Sequence, residues 1–91
     1  MTNGGADGEG PLVRLAKLIR DARTELGWTQ DELATASGVS RPTIQRYENA
    51  KTSTPEFELV RAIVVALNVD PREIPVALGL VTRDEMGLPP E

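Results

Sequence analysis

Residues 29–47 read TQDELATASGVSRPTIQRY. Thr29 is followed three residues later by Glu32, the pattern of a capping box that satisfies two free N–H groups at a helix start. Trp28 before the cap and Leu33 after it are spaced for a hydrophobic staple. A short helix is therefore expected from Gln30 to about Ser37. Gly38 ends it, supplying the positive φ that a tight turn needs. Val39 and Ser40 lead into a further helix reaching about Asn49. Its first residue is ambiguous. Proline is favoured at the first helical position and disfavours helical dihedrals in the residue before it, which makes Arg41 the cap. Ser40 is the chemically better cap and would move Pro42 one position further in. Two helices that cross steeply need a small residue at their closest approach, and Ala34 supplies it. Leu33, Val39, Ile44 and Tyr47 form an apolar face, while Ser40, Arg41, Thr43, Gln45 and Arg46 keep the outer N-terminal face of the second helix polar. The stretch is a helix-turn-helix pattern.

Upstream, Leu12, Leu15, Ala16, Ile19, Ala22 and Leu26 recur at helical spacing, and Gly27 stands where a helix would end. Downstream of a polar loop (residues 49–54), Thr54 and Pro55 are expected to cap and begin a fourth helix. Phe57, Val60, Ile63, Val64 and Leu67 form its apolar stripe, with Leu59 and Val65 off that stripe. Asn68 suits the left-handed position after it. Asp70 is expected to cap a fifth helix from Pro71. Pro75 deletes one backbone bond there, so this helix is short or bent, and Gly79 ends it. The expectation is an all-α, compact five-helix bundle over residues 12–79. Trp28, Tyr47 and Phe57 are assigned to core or staple positions. Residues 1–11 hold four of the eight glycines and almost nothing apolar, so a disordered arm is expected. Residues 80–91 form a tail with a weak Thr82-x-x-Glu85 capping pattern. No strand pattern or internal repeat is evident.

Composition excludes several function classes. The chain has no histidine and no cysteine, which removes the usual metal ligands and the Ser-His and Cys-His hydrolases. The carboxylate neighbours Asp31/Glu32 and Asp84/Glu85 point apart on a helix and cannot share a substrate. No enzyme, metal or cofactor is expected. No apolar run is long enough to span a bilayer, no signal-peptide pattern begins the chain, and the lack of cysteine fits a cytoplasmic location. The net charge of −4 argues at first against a nucleic-acid partner. The charge is uneven, however. Residues 1–11 carry −2 and residues 53–91 carry −4, while residues 12–52 carry +2. Arg14, Lys17, Arg20 and Arg23 step by three and spiral by about 60° per step, so they form no single patch. Most belong to a solvated face, with Arg14 or Lys17 within reach of a phosphate.

On these residues the chain resembles the lambda-type phage repressor and Cro family of DNA-binding domains, the XRE family. Ile19, Arg20 and Arg23 carry the resemblance in the first helix. Thr29 to Ala34, Gly38-Val39-Ser40, Ile44, Tyr47-Glu48-Asn49, Lys51 and the spacing of the fourth helix carry the rest, so it spans residues 15–79. The resemblance implies a five-helix bundle whose third helix enters the DNA major groove. It implies that Gln30 bonds a phosphate at a helix N-terminus and that Asn49, Lys51 and Thr52 clamp the backbone. Arg41 and Arg46 are the candidates for guanine contacts, with Ser40 and Thr43 as secondary contacts. Arg23 and Glu48 would form an ion pair joining the first helix to the end of the third. Two departures stand out. Ala50 replaces the glycine usual after Glu-Asn, so the loop must avoid positive φ there or accept strain. Pro42 cannot read a base by hydrogen bonding but offers an apolar contact to a thymine methyl.

The function implied is a sequence-specific, double-stranded DNA-binding transcriptional regulator, a dimeric repressor on a palindromic operator. It would be cytoplasmic, nucleoid-associated, and bacterial or phage-encoded. Val76, Leu78, Leu80, Val81, Met86 and Leu88 suggest a homodimer interface built from helix five and the tail, against a tail folded over its own core. Two other functions compete: an antitoxin-type regulator whose acidic tail binds a protein partner, and an interaction module that has lost DNA binding.

Overall fold

The capping signals of the central helix pair are realised as hydrogen bonds. In the computed structural model, which describes residues 10–90, the helices are α1 (Pro11–Glu25), α2 (Gln30–Ser37), α3 (Arg41–Glu48), α4 (Phe57–Ala66) and α5 (Glu73–Ala77), with no strand among the described residues. The fold is an all-α helical bundle. Residues 1–9 of the expected N-terminal arm lie outside the described residues.

Thr29 Oγ1 accepts from Glu32 N at 3.1 Å while Glu32 Oε1 accepts from Thr29 N at 2.8 Å, closing both halves of the capping box on α2. Gly38 adopts φ +74°, a left-handed conformation that costs a glycine nothing. The ambiguity at α3 resolves toward serine: Ser40 is the cap, its hydroxyl accepting from Thr43 N at 3.4 Å, and Arg41 and Pro42 occupy the first two helical positions. A proline is tolerated there because those N–H groups have no intrahelical partner.

Several boundaries and burials differ from expectation. α4 begins at Phe57 rather than at Pro55. The Glu56 N–H donates to the Tyr47 hydroxyl at 2.9 Å, which holds residue 56 extended and delays the helix. Phe57 consequently projects beyond the core and is 61% exposed, whereas Leu59 packs partly against the core. α5 begins at Glu73 rather than Pro71. The Asp70 carboxylate accepts from Arg72 N at 2.9 Å and so builds a separate turn before the helix. Leu26 caps the C-terminus of α1 and is 39% exposed instead of completing the stripe. Asn68 takes the left-handed place after α4 at φ +63°, as its side chain allows.

Leu15 and Ile19 of α1, Leu33 of α2, Val39 of the turn, Ile44 and Tyr47 of α3, Val60, Ile63 and Val64 of α4, and Leu67 and Ile74 form one buried cluster. Complete burial of each such side chain contributes about 1.5–3 kcal/mol. α1 packs on α3 and α5, and α2 packs on α3 and α4. The described part of the tail lies on its own chain: Leu88 is buried, Arg83 bonds Glu73 at 2.6 Å, and Arg72 Nη1 donates to Met86 O at 3.1 Å. The Thr82–Glu85 pattern closes as reciprocal hydrogen bonds of 2.8 and 3.1 Å around a single turn.

Candidate nucleic-acid interface

Seven of the eight residues of α3 divide by burial. Ile44, Tyr47 and Glu48 point inward, whereas Arg41, Pro42, Gln45 and Arg46 are exposed. The buried residues follow the i, i+3, i+4 rule and anchor the helix to α1, α2 and the core. Anchoring one face rigidly leaves the opposite, polar face presented to solvent at the N-terminal end. Ser40 is exposed and Thr43 half-buried. Their hydroxyls bond each other at 2.9 Å, and Arg46 Nη2 donates to Thr43 Oγ1 at 3.3 Å. Arg41 lies across the turn from α2, with its Nε 3.5 Å from Asp31 Oδ1.

Glu48 is the one charged side chain buried among the described residues, at 2% exposure. Its carboxylate accepts from Arg23 Nε at 2.7 Å and from Arg23 Nη2 at 3.0 Å, a bidentate pair. Arg23 also donates through Nη1 to Trp28 O at 2.7 Å. Its hydrogen bonds to Glu48 push the Arg23 guanidinium further above its ordinary pKa. Gln30 Nε2 donates to Glu48 Oε1 at 3.2 Å, so the amide for which the family resemblance implies a phosphate is already oriented by this network. The acceptor-only carboxylate forces the NH2 group of Gln30 to face it and leaves the second N–H available. Four groups thus join the end of α1, the start of α2 and the end of α3.

The loop after α3 holds the remaining candidates. Asn49 and Lys51 are exposed. Thr52 is half-buried, and its hydroxyl oxygen is shielded with no hydrogen-bond partner among the described residues, so it must turn outward to reach a phosphate. Ala50 accepts the strain instead of avoiding it, at φ +54°. The bonds Ala50 N to Tyr47 O (3.2 Å) and Lys51 N to Arg46 O (2.8 Å) form a Schellman turn that aims the chain toward Lys51.

Two basic residues of α1, the half-buried Arg14 and the exposed Arg20, also bond carbonyls of other helices. Arg20 Nη1 donates to Glu48 O at 3.0 Å, and Arg14 Nε donates to Ala77 O at 2.9 Å. Each places a cation on the carbonyl end of another helix, where free carbonyls and the helix dipole favour positive charge. Arg14 also approaches Gly79 so closely that a Cβ there would stand 2.6 Å from its Nη2. The spacing of these arginines along α1 carries no signal of this, because their partners lie 28 and 63 residues away. Gln45 also reaches the exposed side of the helix pair, where Asp31 stands against Arg41. The i, i+4 spacing of Gln45 from Arg41 is the signal that places it there.

A family model described as helix-turn-helix matches residues 19–74, more than half of the chain. No solved structure matches it. No helix among the described residues is long and apolar enough to cross a membrane.

Proposed function

This chain belongs to the helix-turn-helix family of the lambda repressor and Cro type, whose domains are DNA-binding and regulatory, and from that premise we propose that it is a sequence-specific transcriptional repressor. The observation that carries the proposal is the division of α3, with Arg41, Pro42, Gln45 and Arg46 exposed on one side and Ile44, Tyr47 and Glu48 buried on the other. An α-helix fits the major groove, and bidentate arginine is the commonest specific partner of guanine. Arg41 and Arg46 read bases, Pro42 packs on a thymine methyl, and Ser40 and Thr43 add secondary contacts. Gln30, Asn49, Lys51 and Thr52 hold the phosphates that set the register. Glu48 does not repel DNA, because Arg23 neutralises it at 2.7 Å.

The protein acts as a homodimer on a palindromic operator, since recognition helices of this type read two half-sites about one helical turn apart. The exposure of Leu80, at 73%, just after α5 supports an interface there. The net charge of −4 predicts weak non-specific binding and dependence on a few contacts.

Selection from random duplexes at low salt tests the proposal and should enrich a dyad-symmetric site. Arg41→Ala should relax one base-pair position by about 1–3 kcal/mol, and Lys51→Ala should weaken all sequences alike while reducing the salt slope by about 1. Failure to enrich any duplex refutes the DNA-reading function. Uniform loss in both variants reduces Arg41 to a phosphate contact.

A further inference from the structure

We propose that Asp31 is a specificity-determining residue: it holds the Nε edge of Arg41 and leaves the two Nη nitrogens as the donors that read a guanine. The inference rests on the DNA-reading function above. Asp31 lies in the first turn of α2 and Arg41 is the first residue of α3, so the contact spans the turn of the motif. Asp31 Oδ1 stands 3.5 Å from Arg41 Nε, and it is the polar group that the described residues set against this guanidinium. Arg46, the other candidate base reader, is steadied by a neutral group, the Thr43 hydroxyl at 3.3 Å. The two arginines therefore differ in charge environment.

Guanidinium chemistry gives that difference a consequence. Arginine presents five N–H donors in a rigid planar fork and can meet guanine O6 and N7 either end-on, through both Nη atoms, or side-on, through Nε and one Nη. A carboxylate facing Nε, here an ion pair at 3.5 Å that closes when water is displaced, takes the side and leaves the end. The long side chain is thereby steadied in one of its many rotamers with its end donors free. On a non-cognate duplex the same carboxylate has the opposite effect. It offsets the charge that Arg41 would lend to phosphates, and its own charge is repelled by them. One acidic residue thus strengthens the specific complex and weakens the non-specific one. In free protein the pair is open to water, with side chains 58% and 74% exposed, and contributes little to folding. Its effect belongs to the bound state, where water is displaced.

Asp31→Asn, Asp31→Ala and Asp31→Glu test this against three duplexes across a salt series: the selected site, the same site with the Arg41-read guanine pair replaced, and an unrelated sequence. Thermal unfolding verifies that each variant is folded. The neutral variants should bind the unrelated duplex about three- to tenfold tighter, with a salt slope steeper by about 0.9. Their discrimination at the one guanine should fall about three- to tenfold. Asp31→Glu, which keeps the charge, should retain most of the discrimination. Asp31→Ala in an Arg41→Ala background should leave the ratio between the two site duplexes unchanged. An equal shift on all three duplexes overturns the inference, as does a lost ratio that persists without Arg41, or Asp31 variants that match the wild type. Wild-type protein that selects no site overturns the DNA-reading function and this inference with it, so the two failures are told apart by the wild-type lane.

Discussion

Replacing Ala50 by glycine should stabilise the protein. Ala50 holds φ +54° in the Schellman turn that closes α3, with Lys51 N bonded to Arg46 O at 2.8 Å. A residue with a Cβ pays about 1–2 kcal/mol for the left-handed conformation. Glycine removes that cost but gains freedom in the unfolded chain, which returns about 0.4–1 kcal/mol. The methyl lost is half-buried, and half of a CH2 burial is worth about 0.4 kcal/mol. Central values leave a net gain of about 0.4 kcal/mol, or about 2–3 °C in Tm for a domain of this size. Thermal and urea unfolding followed by circular dichroism measure it. The urea midpoint should rise with the slope unchanged, since the surface exposed on unfolding is the same. Asn68→Gly is the internal control: it shares the geometry at φ +63°, but asparagine already tolerates it, so its gain should be smaller. A lower Tm for Ala50→Gly, with Asn68→Gly neutral, would refute the reasoning, because the alanine methyl would then outweigh the backbone strain.

Other perturbations probe the network that holds the interface. Glu48→Ala leaves Arg23, at 17% side-chain exposure, without its carboxylate and should cost about 3–5 kcal/mol. A core this small supplies about that much, so the cooperative unfolding transition should vanish or fall near room temperature, and a loss below about 1 kcal/mol would contradict the buried-pair account. Tyr47→Phe removes the acceptor of the N–H of Glu56, an exposed residue that water can reach, and should cost about 0.5–1.5 kcal/mol, with faster amide exchange at Glu56. Unchanged exchange there would show that the hydroxyl does not hold the loop. The side chain and the backbone N–H of Arg72 both bond Asp70 and hold its carboxyl below the ordinary value of 3.8. A depressed folded-state pKa contributes stability above the ordinary aspartate range that is lost as pH falls through the folded value. An NMR titration should therefore find Asp70 below 3.8, with Arg72→Ala moving it upward.

The parts of the fold legible in advance are those whose determinants are local. The capping box at Thr29 and Glu32, the left-handed glycine at position 38 and the left-handed asparagine at position 68 each involve groups within a few residues, and each forms as the sequence suggests. The start of α4 was not legible, because the group that decides it, the Tyr47 hydroxyl, belongs to α3. Phe57 follows from that shift: a helix beginning there points its first turn past the core. At α5 the Asp70 carboxylate had two local uses, capping a helix or closing a turn, and periodicity does not choose between them.

The division also runs through the candidate interface. The polar face of α3 and the apolar face behind it follow from the order of residues, since helical geometry converts spacing into direction. How the polar side chains are held does not follow. Arg20 and Arg14 cap helices far along the chain, Gln30 is oriented by Glu48, and Arg41 is met by Asp31 across the turn. A charge in a sequence has a sign and a reach, but no partner. Its partner is selected when packing of the apolar faces brings helix ends together and desolvates the few groups between them, and only the assembled tertiary structure does that.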